Sequence, residues 1–323
     1  MHSIEVRIKG KNTMVPAADV NGRTVIVVGK WLKVASIKDE TFTEGNVIEE
    51  PERFITLLKQ TGLRADVLTF SDKPPFTGPK HCYHCEWDNL AAIDTTDWDA
   101  WWERLPQETR KNVRRAQKRD VTVRVVDLDD ELIRGIVAIY NECPIRQGKA
   151  FPHYGKDFDT VKREVSTFPE NSEFLGAYVG STLIGFIKLV YLGPMASILH
   201  IVSLTAHEDK RPTNALLAEA VAQCVRKKKT SLVYGNYTYG KKAESSLTEF
   251  KRRNGFDKVM FPTYYVPLTV KGTVTVALKL HLGLVGVLPP RLLATLLGLR
   301  YRVVVWTVAF RRWRGQWRAA ARP

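Results

Sequence analysis

The order of strand-like and helix-like segments after residue 120 is the feature that most restricts how this chain folds. Apolar residues alternate with polar ones in the strand-like segments and recur every three to four residues in the helix-like ones. After a first strand, VTVRVVD, the order is helix, helix, strand, strand, strand, helix, strand, helix, strand. This order predicts an α/β (α+β) protein with a mixed sheet and helices packed across it.

Strand-like and helix-like segments also alternate in the first 120 residues. NGRTVIVVGKWLKVAS is typical of a strand pair, PERFITLLKQTG of a helix and ADVLTF of a strand. A Pro- and Gly-rich break then precedes the strand-like CEWDNLAAID and the helical WDAWWERLPQETRKNVRRAQKRD. Because single cores rarely grow beyond about 250 to 300 residues, a chain of 323 residues is expected to form two compact halves.

The positive charge is concentrated toward the C-terminal end. Residues 258–323 contain 11 Lys and Arg and no Asp or Glu, so the other 38 basic residues nearly balance the 34 acidic ones. This favours a basic tail over a domain-wide nucleic-acid surface. The tail segments VALKLHLGLVGVLPP and RLLATLLGLRYRVVVWTVAF predict two amphipathic helices. Charged residues interrupt both, so no uninterrupted apolar stretch reaches the roughly 20 residues that span a bilayer.

The partner of this tail is open at this point. Basic residues interleaved with Trp306, Trp313 and Trp317 fit peripheral contact with an anionic membrane. The alternative is packing on the domain or on a second subunit. Because residues 1–19 contain no apolar signal region, we expect a cytoplasmic protein, with a peripheral position at the inner membrane face if the tail binds lipid.

The cysteines predict neither disulfides nor a metal. Four cysteines are too few for a disulfide scaffold at this length and are expected to be free thiols. Cys82 and Cys85, flanked by His81 and His84, resemble half of a zinc site, but no second pair follows at suitable spacing. We therefore expect no metal.

A junction between a strand and a helix, from Ile201 to Lys228, is the first candidate binding site. Its loop, HEDKRPTN, leads into a helix whose N-terminus would attract anions through free N–H groups and the helix dipole. The candidate residues for binding an anion there are Lys210, Arg211, Pro212, Thr213 and Asn214. The alternative is an ordinary helix start with solvated cations.

A polar loop and a basic helix are further candidates. The loop from Asn141 to Lys156 suits an acceptor that bears phosphate, sugar or carboxylate, and a solvated linker is the alternative. Its candidate residues are Arg146, Gln147, His153 and Tyr154, joined by Lys188 from an otherwise apolar strand. The basic helix could contact tRNA or an anionic acceptor, or simply present a solvated face, through Arg110, Lys111, Arg114, Arg115, Lys118 and Arg119.

A series of short motifs follows along the second half of the chain. In chain order they are Pro212, Leu216-Leu217, Tyr234-Gly235, Phe250-Lys251 and Gly255-Phe256. Their order resembles that of the Fem-type aminoacyl ligases of the GNAT superfamily of acyltransferases, over roughly residues 20 to 268. The resemblance implies that the junction between strand and helix holds the phosphates of a donor molecule. TRKNVRRAQKRD and PIRQGKAFPHYG resemble the family's basic helix and acceptor-side loop. The usual GNAT loop, R-x-x-G-x-G or A, is absent, which weakens the expectation of ordinary CoA binding.

The resemblance implies two GNAT-like halves and a transfer reaction. It predicts a degenerate half at 1–125, a catalytic GNAT-like domain at 126–268 and a basic amphipathic extension at 269–323. An acyl or aminoacyl group would pass from acyl-CoA or aminoacyl-tRNA to an amine acceptor, such as a peptidoglycan precursor, an amino sugar or a small natural product. Fold alone does not choose among these acceptors.

The resemblance also assigns a catalytic role to Lys251, which would stabilise the oxyanion of the tetrahedral intermediate with Phe250 packed beside it. The alternative is a solvated helix lysine, because Lys251, Arg252 and Arg253 form a charge run.

The candidate bases are His200, which we favour, and Ser203 on the central strand, with His207 near its end. Strand alternation puts His200 and Ser203 on opposite faces, so only one of them can face the cleft. The alternative is that His200 is a core residue, and an amine that is already neutral needs no base. From another functional class, a non-catalytic adaptor that binds RNA or a membrane surface is the rival hypothesis.

Overall fold

The computed structural model describes residues 1–8, 11–42, 44–45, 48–73, 78–146, 148–239 and 245–283. Its strands are β1 His2–Ile8, β2 Lys11–Val20, β3 Arg23–Val28, β4 Val34–Ile37, β5 Val67–Ser71, β6 His84–Asp94, β7 Val121–Val126, β8 Ile145–Arg146, β9 Lys149–Ala150, β10 Ser172–Val179, β11 Thr182–Leu192, β12 Met195–Ser203, β13 Ser231–Val233 and β14 Asp257–Pro267. Its α-helices are α1 Pro51–Gln60, α2 Trp98–Arg104, α3 Gln107–Lys118, α4 Asp130–Asn141, α5 Phe158–Val165, α6 Pro212–Arg226, α7 Ser246–Arg253 and α8 Val270–Ala277. Short 3₁₀ helices lie at Glu40–Phe42, Pro169–Asn171, Thr205–Lys210 and Leu280–Leu282.

One mixed sheet of twelve strands runs through the described part of the chain. Its order is β1-β2-β3-β4-β5-β14-β6-β13-β12-β11-β10-β7. The same pattern occurs on both sides of its centre: an antiparallel series ends in a parallel pair, β4 with β5 on one side and β12 with β13 on the other. The sheet therefore repeats one topology twice, as expected for two halves.

The two halves exchange their last strands at the centre of this sheet. β6, from the first half, pairs with β13 of the second, and β14, from the second half, pairs with β5 of the first. β6 and β14 also pair with each other over nine residue pairs, from Asp257–Ala92 to Tyr265–His84. Each half therefore contributes a strand to the other half's part of the sheet, and the sheet is continuous across the boundary predicted at residue 125. That boundary stays a prediction.

Helices cover both faces of the second half. Phe186 and Ile187 are neighbours on β11 and point to opposite faces, as strand geometry requires. Ile187 packs in the core that contains Leu216 and Leu217 of α6, whereas Phe186 packs in the core that contains Ile136 of α4. This sandwich holds the end of β12 between α6 and α4.

Local chemistry explains where several helices begin. α1 starts with Pro51 at its first position and buries Phe54 and Leu58, which recur at helical spacing. Asp129 caps α4 by accepting a 2.8 Å hydrogen bond from the Leu132 amide. The predicted single basic helix is in fact two, α2 and α3, because Leu105 precedes Pro106 and adopts an extended conformation there.

The ends of the chain differ most from the sequence-based expectation. β1 and β2 were not predicted. A helix was predicted from Val276 onward, whereas α8 covers Val270–Ala277. Most of the predicted extension, from residue 284 onward, lies outside the described residues, so its helices and its membrane contact stay predictions. Among the described residues, no helix is both long and apolar enough to cross a bilayer. All four cysteines are free, as expected.

Candidate active site

The end of β12 forms the floor of the candidate site. β12 pairs with β13 only from Met195 to Ser197, so its remaining residues have no strand partner on that side in the described sheet. A β-bulge places one extra residue, Leu199, between Ile198 and His200. Since the bulge precedes both His200 and Ser203, these two side chains still face opposite sides of the sheet.

The five candidate donor-binding residues lie together at the start of α6. Arg211 occupies the N-cap position in a left-handed conformation, φ 58°, and Pro212 begins the helix. Within the described residues, no side chain caps this N-terminus. The Thr213 hydroxyl lies 2.9 Å from the Ser203 hydroxyl, which joins the helix start to the end of β12. A 15-residue helix thus presents an uncapped N-terminus beside two cations.

The loop before this helix is held by ion pairs and hydrogen bonds. The Glu142 carboxylate accepts hydrogen bonds from the Thr205 and Ala206 amides, each at 2.7 Å. Burial raises the pKa of Glu142, but the hydrogen bonds from Ala206 and Thr205 and the cation of Arg146 together lower it overall. Because Glu142 occupies these two amides, they are not free to bind a donor molecule.

The basic helix lies next to the same loop. Arg119, at the end of α3, donates to the Asp209 carbonyl at 2.7 Å and to its carboxylate at 2.6 Å. Val113 and Ala116 of α3 are buried in the core shared with α6, while Lys111 and Arg114 are exposed. The C-terminal end of α3 is therefore fixed beside the loop that leads into α6, and its cations Lys111 and Arg114 face solvent.

Lys251 is buried, unlike its neighbours in the charge run. Its side chain is 0% exposed, whereas those of Arg252 and Arg253 are 62% and 61% exposed and pair with Glu249. The structure therefore separates Lys251 from the solvated cations that follow it.

Two aromatic rings and one carbonyl surround the ammonium group of Lys251. Its Nζ donates to the Asn236 carbonyl at 2.6 Å and lies 4.6 Å and 4.9 Å from the ring centroids of Tyr234 and Tyr239. Burial lowers the pKa of Lys251 to about 8. The rings stabilise the cation that burial destabilises, so Lys251 remains mostly protonated at neutral pH.

A hydrogen bond joins the Lys251 helix to the candidate donor site. Asn214, in the first turn of α6, donates to Asn254 at the end of α7 at 3.1 Å. Asn254 also donates to the Phe250 carbonyl at 2.7 Å. Phe250 itself is partly buried against the α6 core. The motif residues of α7 and α6, far apart in sequence, are neighbours in the fold.

His200 lies on the other face of the sheet, among groups from the acceptor loop. Its ring is 5.9 Å from that of His153, and the Tyr140 hydroxyl is 3.4 Å from its Nδ1. Burial is the main cause that lowers the pKa of His200 to about 4, with His153 adding a smaller effect. His200 is thus neutral at pH 7, the state that a base requires.

Two structural comparisons place this architecture among known folds. The structure of FemX matches at a TM-score of 0.55 and 11% identity, over 81% of this chain and 87% of that one. The C-terminal domain (DUF2156) of a putative lysylphosphatidylglycerol synthetase from Agrobacterium fabrum matches at 0.51 and 14% identity, over 81% and 86%. The chain has a Fem-like fold. This confirms the predicted mixed sheet, and at these identities the likeness is one of fold. No protein-family model and no curated protein matches the chain by sequence.

Within the Fem-like fold, several predicted acceptor residues make internal contacts. Arg146 donates to the Ser203 and Ile139 carbonyls, both at 2.7 Å, and so ties the loop to the end of β12. Lys188 is fully buried and donates to the Val165 carbonyl at 2.6 Å and to Thr167. These contacts position α5 and the loop.

The other predicted acceptor residues differ in their surroundings. Tyr154 is 48% exposed, and Gln147 lies outside the described residues. His153 is the member of the loop that the fold brings next to His200. The acceptor roles of all these residues stay predictions.

Sequence reasoning missed a cavity at the centre of the Fem-like fold. It has a volume of about 280 Å³ and lies where the exchanged strands meet. Its lining includes Ser197 from the second half and Ser71 from the first. Glu40 also lines it, and burial raises the pKa of Glu40 to about 7 despite a hydrogen bond from the Ser71 amide. No local sequence signal marks this cavity, because residues from both halves form it.

Proposed function

We propose that this chain is an N-acyltransferase that moves an acyl or aminoacyl group from acyl-CoA or aminoacyl-tRNA to an amine acceptor. One observation carries the proposal: the uncapped N-terminus of α6 is joined through Asn214 and Asn254 to the helix that holds the buried Lys251. An anion-binding helix end and a desolvated cation are thus adjacent. That pair suits an anionic carrier and a developing oxyanion.

The donor's phosphates would bind at the start of α6. Pro212 has no N–H, and the Arg211, Asn214 and Ala215 amides donate to backbone carbonyls. The Thr213 amide and the helix dipole are therefore left to attract negative charge, and Lys210 and Arg211 add two cations. Both carriers share this phosphate chemistry, so the site alone leaves the choice between them open. The exposed cations of α3 favour a polyanion such as tRNA, because a row of charges matches a phosphate backbone better than a single pyrophosphate does.

Lys251 would act on the carbonyl that is attacked. The amine nitrogen forms a bond to the acyl carbon, the carbonyl oxygen becomes negative, and the bond to the carrier then breaks as the oxygen re-forms the carbonyl. A cation in a site shielded from water stabilises that oxyanion by several kcal/mol. Its burial beneath Tyr234 and Tyr239 supplies the shielding.

The attacking amine loses one proton in this reaction. His200 is neutral and would accept that proton from the face of the sheet that carries α4 and α5. In this arrangement the acceptor lies on one side of β12 and the donor's phosphates on the other. The sheet edge left open beyond Ser197 is where the two would meet.

The first test is ligand-induced stabilisation of the whole chain. A donor that binds only the native state raises the unfolding temperature, and the rise grows with the logarithm of its concentration above Kd. We expect a rise with acyl-CoA or with aminoacyl-tRNA. Uncharged tRNA and free CoA are the matched controls for the carrier alone. No rise with either donor contradicts the proposal.

The second test separates catalysis from binding. Lys251→Ala is expected to reduce turnover about 100-fold or more while donor binding is retained. Arg252→Ala is the control, since Arg252 is the next residue on the same helix, carries the same charge and is exposed. Equal loss in both variants would contradict a catalytic role for Lys251. Binding of uncharged tRNA with no turnover in the parent would instead support the RNA-binding adaptor.

A further inference from the structure

A cluster of metal-binding side chains lies away from the candidate active site, on the exchanged strand β6. His84 and Glu86 are two residues apart, so they share one face of the strand. The His84 Nε2 atom lies 3.1 Å from the Glu86 Oε1 atom. Cys85, between them, faces the opposite side and packs against the core under α1. Of the sequence pattern that resembles half of a zinc site, His84 belongs to this cluster and the two cysteines do not.

The third member of the cluster, His281, lies near the C-terminal end of the described residues. After α8, Lys279 adopts a left-handed conformation and the 3₁₀ helix Leu280–Leu282 brings His281 against β6. The His84 and His281 rings are 5.4 Å apart, and the Tyr265 ring lies 4.3 Å from that of His281. One ligand atom from each of His84, Glu86 and His281 lies within 4.8 Å of the other two.

The ring of His281 is poorly satisfied where it is buried. Both of its nitrogens are buried, and among the described residues neither makes a hydrogen bond of normal geometry. The Thr275 backbone carbonyl offers one nitrogen a weak hydrogen bond. Buried imidazole nitrogens are normally paired, so the other nitrogen indicates a ligand that the protein atoms do not supply. Metal-bound histidines commonly direct their second nitrogen to such a carbonyl.

The donor set selects a class of metal. Two imidazoles and one carboxylate suit Zn²⁺ and neighbouring divalent transition metals, whereas Mg²⁺ and Ca²⁺ prefer sets made of oxygen alone. Bonds of about 2.0 to 2.2 Å require the three groups to move slightly closer together. Lys279, whose Nζ is 3.8 Å from Glu86 Oε1, is 59% exposed and is free to turn toward solvent.

We propose that His84, Glu86 and His281 bind one divalent transition-metal ion of the zinc class. The ion fastens the segment after α8 to β6, the strand that joins the two halves of the sheet. Water completes the coordination, since the cluster provides three protein ligands. This site is independent of the proposed transfer reaction.

Metal binding by the full-length chain tests this site directly. After treatment with EDTA and dialysis, the parent is expected to bind one Zn²⁺ per chain in equilibrium dialysis with metal analysis. Zn²⁺ is also expected to raise the unfolding temperature. His281→Ala and the milder His281→Asn should weaken the binding at least tenfold. His207→Ala is the matched control, because the Nδ1 of His207 is likewise buried without a partner among the described residues.

Spectroscopy identifies the ligands independently of any variant. X-ray absorption of the zinc-loaded parent should show nitrogen and oxygen at about 2.0 to 2.2 Å and no sulfur near 2.3 Å. A sulfur shell, or loss of binding in Cys82→Ser with retention in His281→Asn, would overturn the proposal in favour of the cysteines. Absence of stoichiometric binding by the parent would overturn it outright.

Discussion

Asn214 in the first turn of α6 and Asn254 at the end of α7 share a hydrogen bond of 3.1 Å. Forty residues separate them in sequence, but the bond fixes the distance between the candidate phosphate site and the turn of helix that carries Lys251. Positioning of this kind controls rate more strongly than affinity, because small displacements at a reacting centre are costly. The pair is therefore a sensitive place to test the proposed site.

Replacing Asn214 by Ala should reduce kcat/KM about tenfold. Asn254 is 4% exposed, so loss of its partner also leaves a buried carbonyl oxygen unpaired and lowers the free energy of unfolding by about 1 to 3 kcal/mol. Chemical denaturation measures the second effect and steady-state kinetics the first. A variant with lowered stability and unchanged kcat/KM would show that the bond serves folding alone.

The rate of transfer should fall as pH rises through about 8. Burial lowers the pKa of Lys251 to about 8, so the protonated fraction that stabilises the oxyanion decreases above that pH. The pH profile of kcat/KM measures this fall in rate. Lys251→Arg keeps its charge to far higher pH, so any residual activity of that variant should not fall above pH 8. The same fall in the variant would assign the titration to another group.

His200 should make the protein less stable in acid. Its pKa is near 6.5 when unfolded and about 4 when folded, so the unfolded chain binds more protons between these values. The free energy of unfolding therefore falls as pH drops from 6.5 to 4, and His200→Gln should remove about 2 kcal/mol of that dependence. Denaturant titrations of parent and variant at both pH values give the difference.

Glu40 provides the internal control for this measurement. Burial raises the pKa of Glu40 to about 7, so here the folded state binds more protons between pH 4.5 and 7 and acid is stabilising. Glu40→Gln should change the pH dependence in the opposite direction to His200→Gln. Two variants with the same sign would contradict the assignment of these shifts to burial.

Lys188→Met should destabilise the fold by about 1 to 3 kcal/mol. The buried ammonium group satisfies the Val165 carbonyl and Thr167 at the end of α5, and these acceptors lose their partner in the variant. The control is Lys162→Met, a lysine on α5 itself. Lys162 is 51% exposed, and its ion pair with Asp130 contributes little to stability. Unchanged stability with lost activity would instead support the predicted acceptor role of Lys188.

The sequence predicts the parts of this fold that depend on local periodicity. The β10–β11 hairpin and α6 occur where the apolar pattern indicates them, since their own residues determine both. The exchange of β6 and β14 had no local signal, because it depends on pairing across more than 150 residues. The burial of Lys251 likewise had no local signal, because Tyr234 and Tyr239, which lie against its ammonium group, belong to a segment outside its helix.

Gly255 is a motif residue whose requirement for glycine can be measured. Its φ is +81°, and an added Cβ would lie 2.8 Å from Trp101 Nε1 and 3.0 Å from Leu105 Cδ2. Gly255→Ala thus combines backbone strain with a clash against α2, and we expect a loss of about 2 to 4 kcal/mol.

Gly62→Ala isolates the first of these two effects. Gly62 has a similar φ of +75°, but an added Cβ meets nothing within 4 Å, so only the backbone cost of about 1 kcal/mol is expected. The difference between the two variants measures how tightly α2 packs on the turn after Lys251. Equal losses would show that the turn shifts to accommodate the methyl group, and Gly255 would then be required for its conformation alone.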